Sequence, residues 1–218
     1  MPHSTFEKFL PAAGTLAGIL FAISGYVAHT PENASANPVT AMEGHETQNF
    51  VALVAGALFA VTIAFFTVAI RQALRSGEPR ESTYSSAAFA GGVMVAMTSA
   101  LNAWIMISLI DAADSNDVPT ARVLSTLGID SWLPFMAAAA VLLLSTGLGG
   151  LRTAVLPKWL SIVTIVLGVA CVLGPTGVGA YFVTPIWMVI VGVLMLRGTG
   201  SQTVTTSATP QTTAYANS

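Results

Sequence analysis

Ionised side chains gather in clusters along the chain. Between the clusters lie five long uncharged stretches, residues 9–31, 47–70, 82–110, 131–151 and 159–196. A helix crossing about 30 Å of hydrocarbon needs about 20 mostly apolar residues. The first four stretches each hold one such helix. The fifth is too long for one crossing and is broken at Gly174-Pro175-Thr176-Gly177, a strong turn signal. The pattern predicts six helices, at about 9–28, 50–71, 87–110, 132–151, 157–173 and 178–196. The fifth is the shortest, which leaves room for a re-entrant or tilted segment. The expected fold is an all-α, polytopic transmembrane bundle of six spans occupying residues 1–198.

Composition agrees. Hydrophobic residues make up 54% of the 218 positions and charged residues 8%, against roughly 25% charged in a soluble domain. A soluble globular enzyme is excluded on that count. So is a nucleic-acid binder, because 8 Lys and Arg against 10 Asp and Glu leave no basic patch. Orientation follows from the cations. Lys8, Arg71, Arg75, Arg80, Arg152, Lys158 and Arg197 fall on one face of a six-span arrangement, and only Arg122 on the other. Glu32, Glu43, Glu46, Asp111, Asp114, Asp117 and Asp130 collect on that second face. Positive charge marks the cytoplasmic side, so both termini are expected in the cytoplasm of a bacterial cell with the chain in its cytoplasmic membrane. Trp132 and Trp159 stand at helix entrances, where amphipathic rings sit at headgroup level.

Small residues recur every four positions in the first three helices: Gly14, Gly18, Ala22; Ala52, Gly56, Ala60, Ala64; Ala88, Gly92, Ala96, Ala100. Such rows let backbones approach closely, so helices 1–3 are expected to form a tight subset. Helix 4 ends in Ser145-Thr146-Gly147-Leu148-Gly149-Gly150, and its glycines predict a loosened end rather than a hinge. Asp130 or Ser131 is the expected cap of that helix, ahead of Pro134. Pro185 is expected to kink helix 6. Residues 117–128 read as a short surface helix, capped by Asp117 and stopped by Gly128, with Val123, Leu124 and Leu127 on one side. Ala34-Ser35-Ala36 resembles a signal-peptide cleavage site, but the apolar run before it is long for one and Lys8 is offset by Glu7. Residues 199–218 are Thr- and Ser-rich and uncharged, the composition of a disordered tail.

Chemistry inside a bilayer calls for ionisable groups, and none of the predicted cores contains Asp, Glu, Lys, Arg or His. No catalytic residue, cofactor site or metal site is therefore assigned. The strongest polar group at membrane depth is Asn102, with Thr98 one turn earlier and Ser99 beside it. An interhelical amide bond there contributes roughly 0.6–2 kcal/mol. A packing clamp is the first reading, and a polar contact in a helix-lined cavity formed with Thr98 is the second. Thr62, Thr164 and Thr184 can bond their own helix carbonyls. Trp104, Met106 and Trp187 are read as buried or lipid-facing packing ahead of a cavity lining. His29, Glu43, His45 and Glu46 make a ligand-like cluster in the acidic loop but match no metal-binding spacing, so a solvated loop end is preferred. Cys171 has no basic neighbour and reads as an inert buried thiol.

The run Leu151-Arg152-Thr153-Ala154-Val155-Leu156-Pro157-Lys158-Trp159-Leu160 resembles the L-R-T-x-x-L-P-[RK]-W-L turn before the fifth helix of a family of small actinobacterial membrane proteins of unknown function. Pro185 through Arg197 resembles that family's closing helix. Thr30-Pro31-Glu32 fits its outer loop more loosely, and Ser161-Ile162 departs from the family's frequent W-L-G-W. The resemblance implies six spans and no catalytic residues. The resulting expectation is a non-enzymatic scaffold or accessory protein acting through a lipid, a protein partner or a second copy. The alternative is a carrier for an apolar or lipid-like solute.

Overall fold

The computed structural model describes residues 10–27, 38–42, 44–79, 83–173 and 175–201. All the regular structure among them is helical: α1 Ala12–Val27, α2 Pro38–Met42, α3 Glu46–Gly77, α4 Tyr84–Asp114, α5 Val118–Asp130, α6 Trp132–Thr153, α7 Lys158–Val172 and α8 Pro175–Ser201. Four segments are long and apolar enough to cross a membrane: Glu46–Gly77, Tyr84–Asp114, Val118–Thr153 and Gly179–Arg197. α1 and α7 are apolar but only 16 and 15 residues long. At 1.5 Å per residue each covers about 24 Å or less, short of a hydrocarbon core of about 30 Å.

The long helices overrun their expected bounds for a physical reason. An apolar stretch measures the part suited to hydrocarbon, whereas a helix continues until its backbone is stopped. α3 passes through Arg71, Gln72 and Arg75, good helix formers, and ends only where Glu78 turns extended ahead of Pro79. α4 begins under a carboxylate lid. Glu78 Oε1 accepts the Ser85 backbone N–H at 2.8 Å, and Oε2 accepts its hydroxyl at 2.6 Å. A negative group there satisfies amides that the first turn leaves unpaired. α5 starts as expected, with Asp117 Oδ1 accepting the Thr120 N–H, but it runs through Gly128 to Asp130. Val123 and Leu127 on α5 are exposed, while Leu124 packs inward.

Helix packing forms a ring. α1 packs on α3, α3 on α4, α4 on α6, α6 on α7, α7 on α8, and α8 returns to α1. The interior is one apolar cluster to which all six contribute, including Phe21, Phe66, Val95, Leu142, Leu167 and Trp187. A second cluster at one end joins α2, α4 and α5 through Val39, Met42, Leu109, Ala112 and Ala121. The expected closeness of helices 1–3 is present: Gly14 lies against the Phe66 ring, Gly56 against Ser24, and Gly92 against Thr67. The tight contacts go further than that subset, however. Gly91 meets the α6 backbone at Leu142, Gly18 the Pro185 carbonyl of α8, and Gly168 the Leu144 side chain and backbone. Pro185 lies inside α8 without ending it, although it withdraws the amide that the Tyr181 carbonyl would accept.

Two expectations about α6 are corrected. Its glycine-rich end is not loosened; the helix holds to Thr153 and stops at Ala154, which takes a left-handed φ of 53°. Gly147, Gly149 and Gly150 are buried; a Cβ at Gly147 would clash with Ser161 and Ile165 and one at Gly150 with the Ser161 hydroxyl, while one at Gly149 would press closely on Leu74 and Tyr84. Intrinsic propensity is a local preference that such packing overrides. Ser131, in turn, makes no capping bond to α6; its hydroxyl is committed elsewhere, as described next.

The two ends of the ring differ in charge. Arg71, Arg75, Arg152, Lys158 and Arg197 lie at or near helix termini of one end. There Arg152 sits over the Tyr84 ring at 5.0 Å and Arg71 over the Phe89 ring at 4.9 Å, and Gly77 abuts Thr153. The other end carries Glu46, Asp111, Asp114, Asp117 and Asp130, with Arg122 among them.

Candidate binding cavity

At the acidic end the helices form a partly open cavity of about 350 Å³. Its position follows from helix lengths. α1 ends there, α3 and α6 begin there, and α4 runs past them to carry α5 back across the opening. The last turns of α1 supply Phe21 and Ser24, the start of α3 supplies Ala52 and Phe59, and α4 supplies Thr98, Ser99, Asn102 and Met106. α5 closes over them with Leu124, Ser125, Gly128 and Ile129, and α6 enters with Ser131, Trp132 and Phe135. Tyr181 of α8 completes the wall.

One side of this space is aromatic. Phe21 is the hub, 4.9 Å from Phe59, 5.5 Å from Phe135 in a stacked pair tilted by only 10°, and 4.7 Å from Tyr181, centroid to centroid. Tyr181 also meets Phe135 edge-on at 6.0 Å. Ring pairs at these distances favour fixed relative orientations, so four helices hold a rigid floor.

The other side is polar and uncharged. Ser131 Oγ lies 2.7 Å from the Gly128 carbonyl and 3.0 Å from Asn102 Oδ1. A hydroxyl has one hydrogen to donate. If it serves Asn102, the amide nitrogen of Asn102 is left over. If it serves Gly128, the amide turns to donate from nitrogen and the oxygen is left over, since the two ends of an amide are assigned from the network around them. In either arrangement half of the Asn102 carboxamide has no partner among the described residues, and the side chain is exposed in the wall of the cavity. Thr98 and Ser99 donate back to their own helix, Thr98 to Met94 and Val95 and Ser99 to Val95 at 2.7 Å. Their oxygens keep lone pairs to offer. No Asp, Glu, Lys, Arg or His lines the space among the described residues.

Asn102 and Thr98 both line this cavity. The bond between Asn102 and Ser131 links α4 to the α5–α6 junction. Trp104, Met106 and Trp187 separate: Met106 lines the cavity, Trp104 is 62% exposed on the outer surface of the bundle, and Trp187 is buried in the core. Its indole N–H donates to Thr164 Oγ1 at 2.7 Å, and Thr164 donates to the Leu160 carbonyl at 2.7 Å. Thr62 and Thr184 bond their own helices as expected. Cys171 is buried. His45 stands just before α3, with Glu46 in its first turn, while His29 and Glu43 lie outside the described residues, as do the Ala34–Ala36 segment and residues 202–218. The aromatic floor was not foreseen. Its four rings come from four helices, and no spacing along one helix marks them.

Comparison with family models, with characterised proteins and with solved structures finds no match to this chain.

Proposed function

We propose that the chain is a six-span protein of the bacterial cytoplasmic membrane, with both termini in the cytoplasm, that binds an apolar or lipid-like solute and carries or presents it without chemical conversion. The cavity is the observation that carries this reading. It has a volume at the lower end of small-molecule pockets, an aromatic floor, and a half-paired amide in its wall.

Several features support the membrane placement. Leu58, Val61, Phe65, Met97, Val166 and Ile186 are exposed around the bundle, an apolar surface too large for water. The basic and acidic ends are segregated as the positive-inside rule requires. α1 and α7 count as spans in this proposal because each is built into the ring between longer neighbours; the bilayer thins or the helices' flanks complete the crossing at modest cost. The Leu151–Leu160 turn, with its likeness to actinobacterial six-span proteins, fits the same scheme. The cavity raises the carrier role above the scaffold role, which no particular feature of the fold favours.

Two measurements test it. In a Cys171→Ala background, Ser115→Cys should react with a membrane-impermeant maleimide on intact cells, and Ser76→Cys only after permeabilisation; the reverse pattern overturns the topology. Native mass spectrometry of gently extracted protein should show a co-purifying small amphiphile, and a bare polypeptide in every preparation would count against the carrier.

A further inference from the structure

We infer that the cavity selects an uncharged, single-chain amphiphile, whose hydrogen-bonding head meets Asn102 and whose apolar body lies on the aromatic floor. This rests on the proposal above that the cavity holds a lipid-like solute, and it specifies which kind.

Charge decides first. A group that settles against these walls gives up part of its water, and no described lining residue carries a formal charge to compensate an ion. An ion without a counter-charge is far costlier to desolvate than a neutral polar group. The end of the bundle on which the cavity opens carries the exposed Asp111, Asp114, Asp117 and Asp130, with Arg122 among them. Phosphate, carboxylate and ammonium heads alike therefore find no counter-charge among the described lining residues.

Hydrogen bonding decides next. The wall is not inert: half of the Asn102 carboxamide is unpaired, and Ser24 and Ser125 line the same space. An amide can donate or accept, so a hydroxyl, ester carbonyl or amide head satisfies it, whereas a plain hydrocarbon leaves it desolvated. Size decides last. About 350 Å³ lies at the low end for a ligand pocket, and two acyl chains, each spanning half of a hydrocarbon core of about 30 Å, do not fit. One chain or one compact apolar body does, against Phe21, Phe59, Phe135 and Tyr181.

Trp132 lines the cavity and reports on it. In a Trp104→Phe, Trp159→Phe background, which removes two exposed indoles and keeps the buried Trp187 as an internal reference, the protein is placed in phosphatidylcholine nanodiscs. Three bromine-labelled probes of equal chain length are then titrated as fluorescence quenchers: a monoacylglycerol, the free fatty acid at about pH 9, where its carboxyl is ionised, and the alkyl trimethylammonium. The monoacylglycerol should quench saturably and bind at least about tenfold more tightly than either ion. Asn102→Leu should weaken it about tenfold, the effect of one lost hydrogen bond. Asn102→Leu should keep the far-ultraviolet circular dichroism and the unfolding midpoint of the wild type, which separates lost binding from a folding failure. Equal or tighter binding of an ionic probe overturns the inference while leaving the carrier proposal standing. Neutral preference that survives Asn102→Leu overturns the assignment of the head. Absence of saturable quenching by all three overturns the carrier proposal together with the inference.

Discussion

Two glycines on this bundle should respond in opposite directions to the same substitution. Gly91 of α4 faces the backbone of α6: a Cβ built there would lie 2.9 Å from Leu142 Cα and 3.0 Å from the Val141 carbonyl carbon, and closer still to the Leu142 amide nitrogen. Ordinary contact begins at 3.4 Å, so the deficit is about half an ångström or more, and it falls on main chain that no rotamer change can move. Gly91→Ala must push α4 and α6 apart. Forcing volume into a packed interior costs about 1–3 kcal/mol. The better helix propensity of alanine returns about 0.8–1.0 kcal/mol, leaving a net loss of up to about 2 kcal/mol, towards the upper end because the clash is with main chain. Gly179 of α8 has nothing within 4 Å of its hypothetical Cβ. Gly179→Ala therefore keeps the propensity gain and meets no clash, so it should be neutral or stabilising by up to about 1 kcal/mol. Reversible unfolding in mixed micelles by titration with sodium dodecyl sulfate, followed by circular dichroism, measures both against the wild type. If Gly91→Ala matches Gly179→Ala in stability, the α4–α6 approach is not as close as described, and the ring would have to be redrawn at that contact.

Two further perturbations test other parts of the fold. Thr164→Val removes the acceptor of the Trp187 indole N–H and leaves that donor buried, so it should cost about 1–3 kcal/mol; adding Trp187→Phe should recover part of the loss, and a double mutant as unstable as the sum of the singles would deny the bond. The Asp117 carboxyl is held below its ordinary range first by the Thr120 side chain and then by the Thr120 backbone N–H, with burial opposing slightly. A carboxylate whose pKa falls on folding contributes stability above its unfolded pKa and loses it as pH drops through the folded value. Protection of the α5 amides in hydrogen exchange should therefore hold at neutral pH and weaken on acidification below the usual carboxylate range, while Asp117→Ala should show weakened protection at every pH.

Much of the helical layout was legible from local information. Where the apolar stretches lie and where Asp117 caps α5 are each decided by residues within a few positions of one another. Hydrocarbon length and capping chemistry act over that range, which is why the helices fell close to their expected places and why the ends of α3 and α4, set by backbone termination instead of apolarity, did not. The charge asymmetry of the two ends is likewise written in order along the chain. Asn102 stood out because an amide amid apolar residues is conspicuous wherever it is placed.

What only the tertiary structure decided depends on which faces meet. The glycines after Ser145 read as weak points by propensity and are contact points in the fold, because Leu74, Tyr84, Ser161 and Ile165 arrive from three other helices to fill the space beside them. Ser131 reads as a cap and instead reaches Asn102, 29 residues earlier. Phe21, Phe59, Phe135 and Tyr181 carry no mutual signal in the sequence, yet ring closure between α8 and α1 brings them to one floor. Side-chain contacts fall off within a few ångströms, so the meaning of a phenylalanine or a serine here is set by its neighbours in space. The sequence determined a bundle of apolar helices with one charged end of each sign; the cavity exists only because six of those helices close on one another.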